Sequence, residues 1–193
     1  MTPYNIILFL HVAGALGIGA GAYMALFGLW NLRRAKTVDQ ARTTLGMINL
    51  SGPILGSSML VNILAGLYMA TNSRLWEAPW IRLTIPTLVL YIIAGAVMGT
   101  RRAAIAKLVK EMPDGPLPQD VVSRIHDPIF GTATYMVMGL LAGIIFLMTV
   151  KPLLNIAIIG VSVAVILAAL ASLSLRRTEQ VKEPARELRQ QRG

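Results

Sequence analysis

Only two histidines stand in this 193-residue chain, and it has no cysteine. His11 lies within a long apolar run, where a neutral imidazole has three uses: donating a hydrogen bond inside a helical bundle, ligating a haem iron or copper, or relaying protons near neutral pH. His126 stands beside Asp127 and Pro128. That trio reads as a helix entry, with the acid favouring the helix N-terminus and the proline its first turn. His11 stands near the start of the first apolar run and His126 at the start of the fourth, which runs the opposite way, so the two imidazoles fall near opposite membrane surfaces and one haem cannot be gripped by both in a single subunit. Haem with histidine and methionine ligands stays open among ten methionines, although Met136, Met138 and Met148 read as packing residues. Without cysteine there are no disulfides, thiolate metal sites, cysteine nucleophiles or covalent c-type haem attachment.

The other polar residues within apolar runs are neutral. Asn62 should reach the depth of His11 from a neighbouring helix of opposite direction, close enough to hydrogen-bond with it. Tyr91, Thr84, Thr87, Asn49, Asn155, Ser57 and Ser58 could line a small polar cavity, and Pro53 and Pro86 would free backbone carbonyls there. No Asp, Glu, Lys or Arg accompanies them, whereas a coupled ion transporter usually needs a carboxylate near the midplane. There is no inverted repeat, phosphate-binding loop, nucleophile elbow or carboxylate pair within a span. No residue is assigned a catalytic role.

The elements that must position these side chains follow from hydropathy. With 55% hydrophobic residues, 14% charged residues and a mean hydropathy of +0.63, the chain belongs to the membrane class, since soluble domains carry about a quarter charged residues. A helix needs roughly 20 apolar residues to cross the hydrocarbon layer. Five segments qualify, at residues 5–30, 45–70, 81–100, 129–150 and 153–175, giving an all-α transmembrane bundle over residues 1–175 and a basic tail over 176–193. The first is read as a spanning helix rather than a signal peptide, because no Lys or Arg precedes it and it is too long.

Charge placement sets the orientation. Of the 18 basic residues, 15 fall in the first and third connections and the tail, against Arg74, Arg82 and Lys151 on the other side. Cationic residues near span ends are retained in the cytoplasm, so the N-terminus is expected outside, the C-terminus inside, and the protein in a bacterial inner membrane. Trp76 and Trp80 then mark the outer surface, Trp30 the inner one, and Lys151 snorkels to the outer headgroups. The net charge of +9 sits at headgroup boundaries rather than on a soluble face, which argues against nucleic acid as a partner.

Lipid offers no hydrophobic gain when helices associate, so close packing relies on small residues. Gly14, Gly21 and Gly28 recur every seven positions with Gly17 among them. Gly52 and Gly56, Gly95 and Gly99, and Gly139 and Gly143 keep a spacing of four. These are expected to pack helices within the bundle; a face for another membrane protein or a second copy is the alternative.

Three stretches carry a resemblance: Leu8-Phe9-Leu10-His11-Val12-Ala13-Gly14-Ala15, Trp80 followed by Leu90-Tyr91-Ile92-Ile93-Ala94-Gly95, and Ile145-Phe146-Leu147-Met148-Thr149-Val150-Lys151-Pro152. Over roughly residues 4–152 the chain resembles the DUF2269 family of bacterial four-span membrane proteins, whose function is not established, with the last helix and tail as an addition. More distantly, a histidine early in the first helix followed by small residues is similar to copper-resistance CopD proteins and to HemJ-type protoporphyrinogen oxidases. That similarity implies haem b or copper at His11; Asn62, by its depth, and Tyr91, by its place among the polar residues above, are the other candidate cofactor-binding residues. Three function classes result: a non-catalytic bundle binding a partner protein, lipid or hydrophobic ligand; a haem or copper protein using His11; and a pore or carrier for a small neutral solute.

Overall fold

The structure, a computed structural model, describes the backbone of residues 3–190 and the side-chain surroundings of residues 3–173. It is all-α. Six helices follow in order: α1 (Pro3–Arg34), α2 (Val38–Asn72), α3 (Pro79–Glu111), α4 (Gln119–Ile125), α5 (Pro128–Val150) and α6 (Leu154–Gln190), with one 3-10 turn at Leu75–Glu77. Five of them are long and apolar enough to cross a membrane, α4 being the short exception. The helix α6 continues through residues 176–190, where a separate tail is expected from sequence. Its run of Arg, Glu, Gln and Lys consists of good helix formers, which extend a helix once it is nucleated. Residues 191–193 lie outside the described residues.

Helix ends have local causes. Thr37 caps α2, its hydroxyl accepting from the Gln40 amide at 3.3 Å. Asp127 caps α5, its carboxylate accepting from the Ile129 amide at 2.8 Å, and Pro128 opens the first turn as expected. Lys151 ends α5 in the left-handed region with φ 49°. Pro152 follows and cannot continue the helix, which makes the tight turn into α6. Pro53 and Pro86 lie inside α2 and α3, both of which run unbroken through them.

α1 packs most extensively on α2, while α5 packs on α3 and α6 and touches α1. The larger core gathers Leu29 and Leu32 of α1, Leu45 of α2, Met98 and Ile105 of α3, and Val137 and Leu140 of α5. α4 plugs this end of the bundle by burying Val121 and Ile125 in the same cluster. A second, smaller core at the opposite end joins Trp80 and Ile81 to Leu147 and Ala157. Trp80 is therefore buried rather than facing lipid, and Lys151 stands with its ammonium 5.8 Å from the centre of the Trp80 ring. A cation over an indole face is attracted by the ring quadrupole, which holds Lys151 beside the bundle.

The basic end is tied together across the connections. The Val38 amide donates to the Gly115 carbonyl at 2.9 Å and the Leu117 amide to the Lys36 carbonyl at 3.0 Å. Arg42 pairs with Asp114 at 2.7 Å and donates to the Met112 carbonyl at 2.7 Å, capping the C-terminus of α3 with a cation. Arg101 pairs with Asp127 at 2.8 Å.

Candidate functional site

The deep imidazole and the deep amide meet. His11 Nδ1 stands 3.0 Å from the backbone carbonyl oxygen of Asn62, and Asn62 Nδ2 donates to the backbone carbonyl of His11 at 2.8 Å. Because a carbonyl oxygen only accepts, Nδ1 must carry the proton. The Nε2 atom of His11 has no hydrogen bond among the described residues. Each residue uses its side chain on the other's backbone, so the pair forms a reciprocal clasp between α1 and α2. Gly66 makes room for it: a Cβ there would stand 3.1 Å from His11 Cε1.

Small residues close this interface on either side of the clasp. A Cβ on Gly14 would stand 2.9 Å from the Ser58 carbonyl oxygen and 3.0 Å from Asn62 Cβ, and one on Gly17 would run into the Ser58 side chain. Further along, Gly21 faces Leu55 and Gly28 faces Ile48. Between α5 and α6, Gly139 lies against Ala164 and Ala168, and Gly143 against Val161. Those glycines pack helices as expected. Gly95 and Gly99 do not: among the described residues nothing lies within 4 Å of a Cβ at either position, and the same is true of Gly52 and Gly56. Their flanks of α3 and α2 are left open.

The remaining polar residues are not brought together into a cavity. Thr84 and Thr87 are buried, but their hydroxyls donate to the Trp80 and Leu83 carbonyls of their own helix at 2.7 Å. Ser57 turns back to Pro53 and Ile54, and Asn49 and Asn155 are exposed. Hydroxyls within a helix satisfy themselves on the preceding turn, so this composition supplies no shared polar lining. Tyr91 differs from them. It is only 4% exposed, and its hydroxyl has no hydrogen-bond partner among the described residues.

Two surface grooves accompany these sites, each of about 580 Å³. One lies between α1 and α2 at the basic end, with Met24, Phe27, Met47 and Ile48 on its walls and Asn31, Arg34, Asp39 and Thr43 around it. Nothing in the sequence pattern announced it, because its lining comes from the flanks of two amphiphilic helix ends rather than from a motif. The other, between α5 and α6, is walled by Gly139, Ala142, Phe146, Gly160, Ala164 and Tyr135 and is almost wholly apolar. At its end the Trp30 indole donates to the Tyr135 hydroxyl at 3.0 Å.

No group of three or more metal-ligating His, Cys, Asp or Glu side chains forms among the described residues. Comparison with known proteins returns no match to a protein family, a curated protein or a solved structure.

Proposed function

We propose that this chain is a non-catalytic integral membrane protein that binds a membrane lipid, or a hydrophobic ligand of similar amphiphilic build, in grooves open to the bilayer. The supporting observation is the groove between α1 and α2, where apolar walls run toward a rim bearing Arg34, Asp39 and Thr43. An acyl chain suits the walls and a headgroup suits the rim. The expected 15 to 3 distribution of basic residues supports a bacterial inner membrane with the N-terminus outside, and the resemblance to DUF2269 proteins belongs to the same proposal. The test is lipid retention: protein purified in mild detergent is expected to carry bound phospholipid and to lose thermal stability on delipidation. Lipid-free protein whose melting temperature is indifferent to added phospholipid would overturn it.

One observation favours a second reading, haem b or copper at His11. The imidazole is oriented through Nδ1 by a backbone carbonyl, the arrangement that fixes metal-bound histidines and leaves Nε2 free to ligate. A Soret band or stoichiometric copper, abolished in His11→Ala, would establish this reading. A colourless, metal-free preparation would remove it.

A further inference from the structure

The groove between α1 and α2 grades from apolar to charged along both of its walls. Helical residues three or four apart share a face. On α1 the lining series is Met24, Phe27, Asn31 and Arg34, and on α2 it is Met47, Thr43 and Asp39. The two helices are antiparallel and joined by a short connection, so both series turn polar toward the same end. At the helical rise of about 1.5 Å, Arg34 lies about 6 Å beyond the expected end of the first span and Asp39 about 9 Å before the expected start of the second. Both charges therefore stand at headgroup level, while Met24, Phe27 and Met47 stay within the expected spans.

The two charges are opposite in sign and do not pair. Among the described residues, neither the Arg34 nor the Asp39 side chain makes an ion pair or a hydrogen bond. At the same end Arg42 and Arg101 are neutralised by Asp114 and Asp127. Lys36, the other cation of the connection, is not part of the groove lining. The backbone that sets Arg34 and Asp39 apart is held in place: Val38 donates to Gly115, Leu117 donates to Lys36, and the Lys36 amide donates to the Gln40 side chain at 2.9 Å. Each charge suits its own helix end, Arg34 in the last turn of α1 and Asp39 in the first turn of α2. That explains each sign singly, but not why both stand on one groove above an apolar floor. Together they make a rim of zero net charge, complementary to a group that carries one anion and one cation.

We propose that the α1–α2 groove selects a zwitterionic phospholipid with a primary amine, its phosphate on Arg34, its ammonium on Asp39 and one acyl chain along Phe27 and Met47. This assignment rests on the lipid-binding reading above and names the headgroup class for it. A guanidinium presents forked donors that match phosphate oxygens. A carboxylate accepts from the N–H groups of an ammonium, which a quaternary choline nitrogen does not possess. An anionic headgroup without an amine would place its charge beside Asp39 with nothing to neutralise the carboxylate. The rim thus discriminates against both choline and anionic lipids, although the surrounding end of the bundle is basic.

Native mass spectrometry of the full chain in equimolar phosphatidylethanolamine, phosphatidylcholine and phosphatidylglycerol tests this. Wild type is expected to retain phosphatidylethanolamine over each of the others by about fivefold, the size of one solvent-exposed ion pair. Asp39→Asn should bring both ratios close to one, and Asp39→Glu should restore them, whereas a carboxylate that served only its helix end would leave them unmoved. Met24→Trp, which fills the apolar wall and keeps both charges, should displace the lipid and its preference together. Binding without headgroup preference, a preference for phosphatidylglycerol, or a preference that survives Asp39→Asn overturns the headgroup assignment and leaves the lipid-binding reading standing. A wild type that retains no lipid overturns both. Should Asp39→Asn not fold, Met24→Trp decides: an undiminished preference in it overturns the assignment.

Discussion

The α1–α2 interface and the α2–α3 interface use the same small residues and end differently. In the first, Gly14 and Gly17 sit directly on Ser58 and Asn62, and two hydrogen bonds between His11 and Asn62 lock the crossing. In the second, no described residue comes within 4 Å of a Cβ at Gly52, Gly56, Gly95 or Gly99, and Arg102 reaches the Ile48 carbonyl only at 3.5 Å. Spaced glycines confer the capacity for close approach without determining that it happens. What distinguishes the closed interface is a polar clasp, which lipid makes valuable because no water competes for its partners.

The sharpest way to break this comparison is to overfill both interfaces alike. Gly17→Leu would drive a side chain into Ser58 and is expected to destabilise by about 1–3 kcal/mol or more, seen as a large fall in thermal midpoint or loss of monodispersity. Gly95→Leu should cost far less, since its Cβ enters free space. Equal losses at the two positions would mean that the flank of α3 at Gly95 is covered in the bilayer.

A second test concerns the clasp. His11→Ala and Asn62→Ala each remove one interhelical hydrogen bond, expected at about 0.6 kcal/mol and up to about 1.7. Because each side chain bonds the other's backbone, either substitution leaves the reciprocal bond in place. The double variant should therefore be close to additive, within about 0.5 kcal/mol, in a double-mutant cycle read by unfolding in mixed micelles. Strong coupling would show instead that imidazole and amide act on each other directly.

At the basic end, Arg42→Ala should cost more than Asp114→Asn. The ion pair itself is exposed, with 39% and 74% of the two side chains accessible, and such pairs contribute about 0–1 kcal/mol. Arg42 also caps the Met112 carbonyl of α3, a bond that the aspartate substitution leaves intact. The smallest effect is expected at Tyr91. Tyr91→Phe removes a buried hydroxyl without a partner, so delipidated protein should be unchanged or slightly more stable. A clear destabilisation there would reveal a hydrogen bond that the hydroxyl makes in the membrane.

Much of this architecture was legible in local sequence. The five spans follow from runs of apolar residues, and the helix entry at Asp127 and the turn at Lys151 and Pro152 follow from residue types at helix ends. The meeting of His11 and Asn62 followed from counting positions along antiparallel helices, because the rise per residue converts sequence distance into depth. Other features resisted the same reasoning. The threonines of α3 looked like a cavity lining until their hydroxyls were seen turned back on their own backbone, and Trp80 looked like a membrane-surface residue until it was seen packed on Leu147 and Ala157. The short helix α4 has no hydropathy signature, since only Val121 and Ile125 of its residues are buried.

By itself, the sequence determined which five segments are long apolar helices and where along the chain the basic residues concentrate. These are one-dimensional properties set by hydropathy and by the fixed rise of a helix. The tertiary structure alone decided how each helix is rotated about its axis and which neighbour it faces. That rotation closes Gly14 and Gly17 on α2 and leaves Gly95 and Gly99 open beside Arg102, because a glycine looks the same in sequence whether or not another helix comes to rest on it.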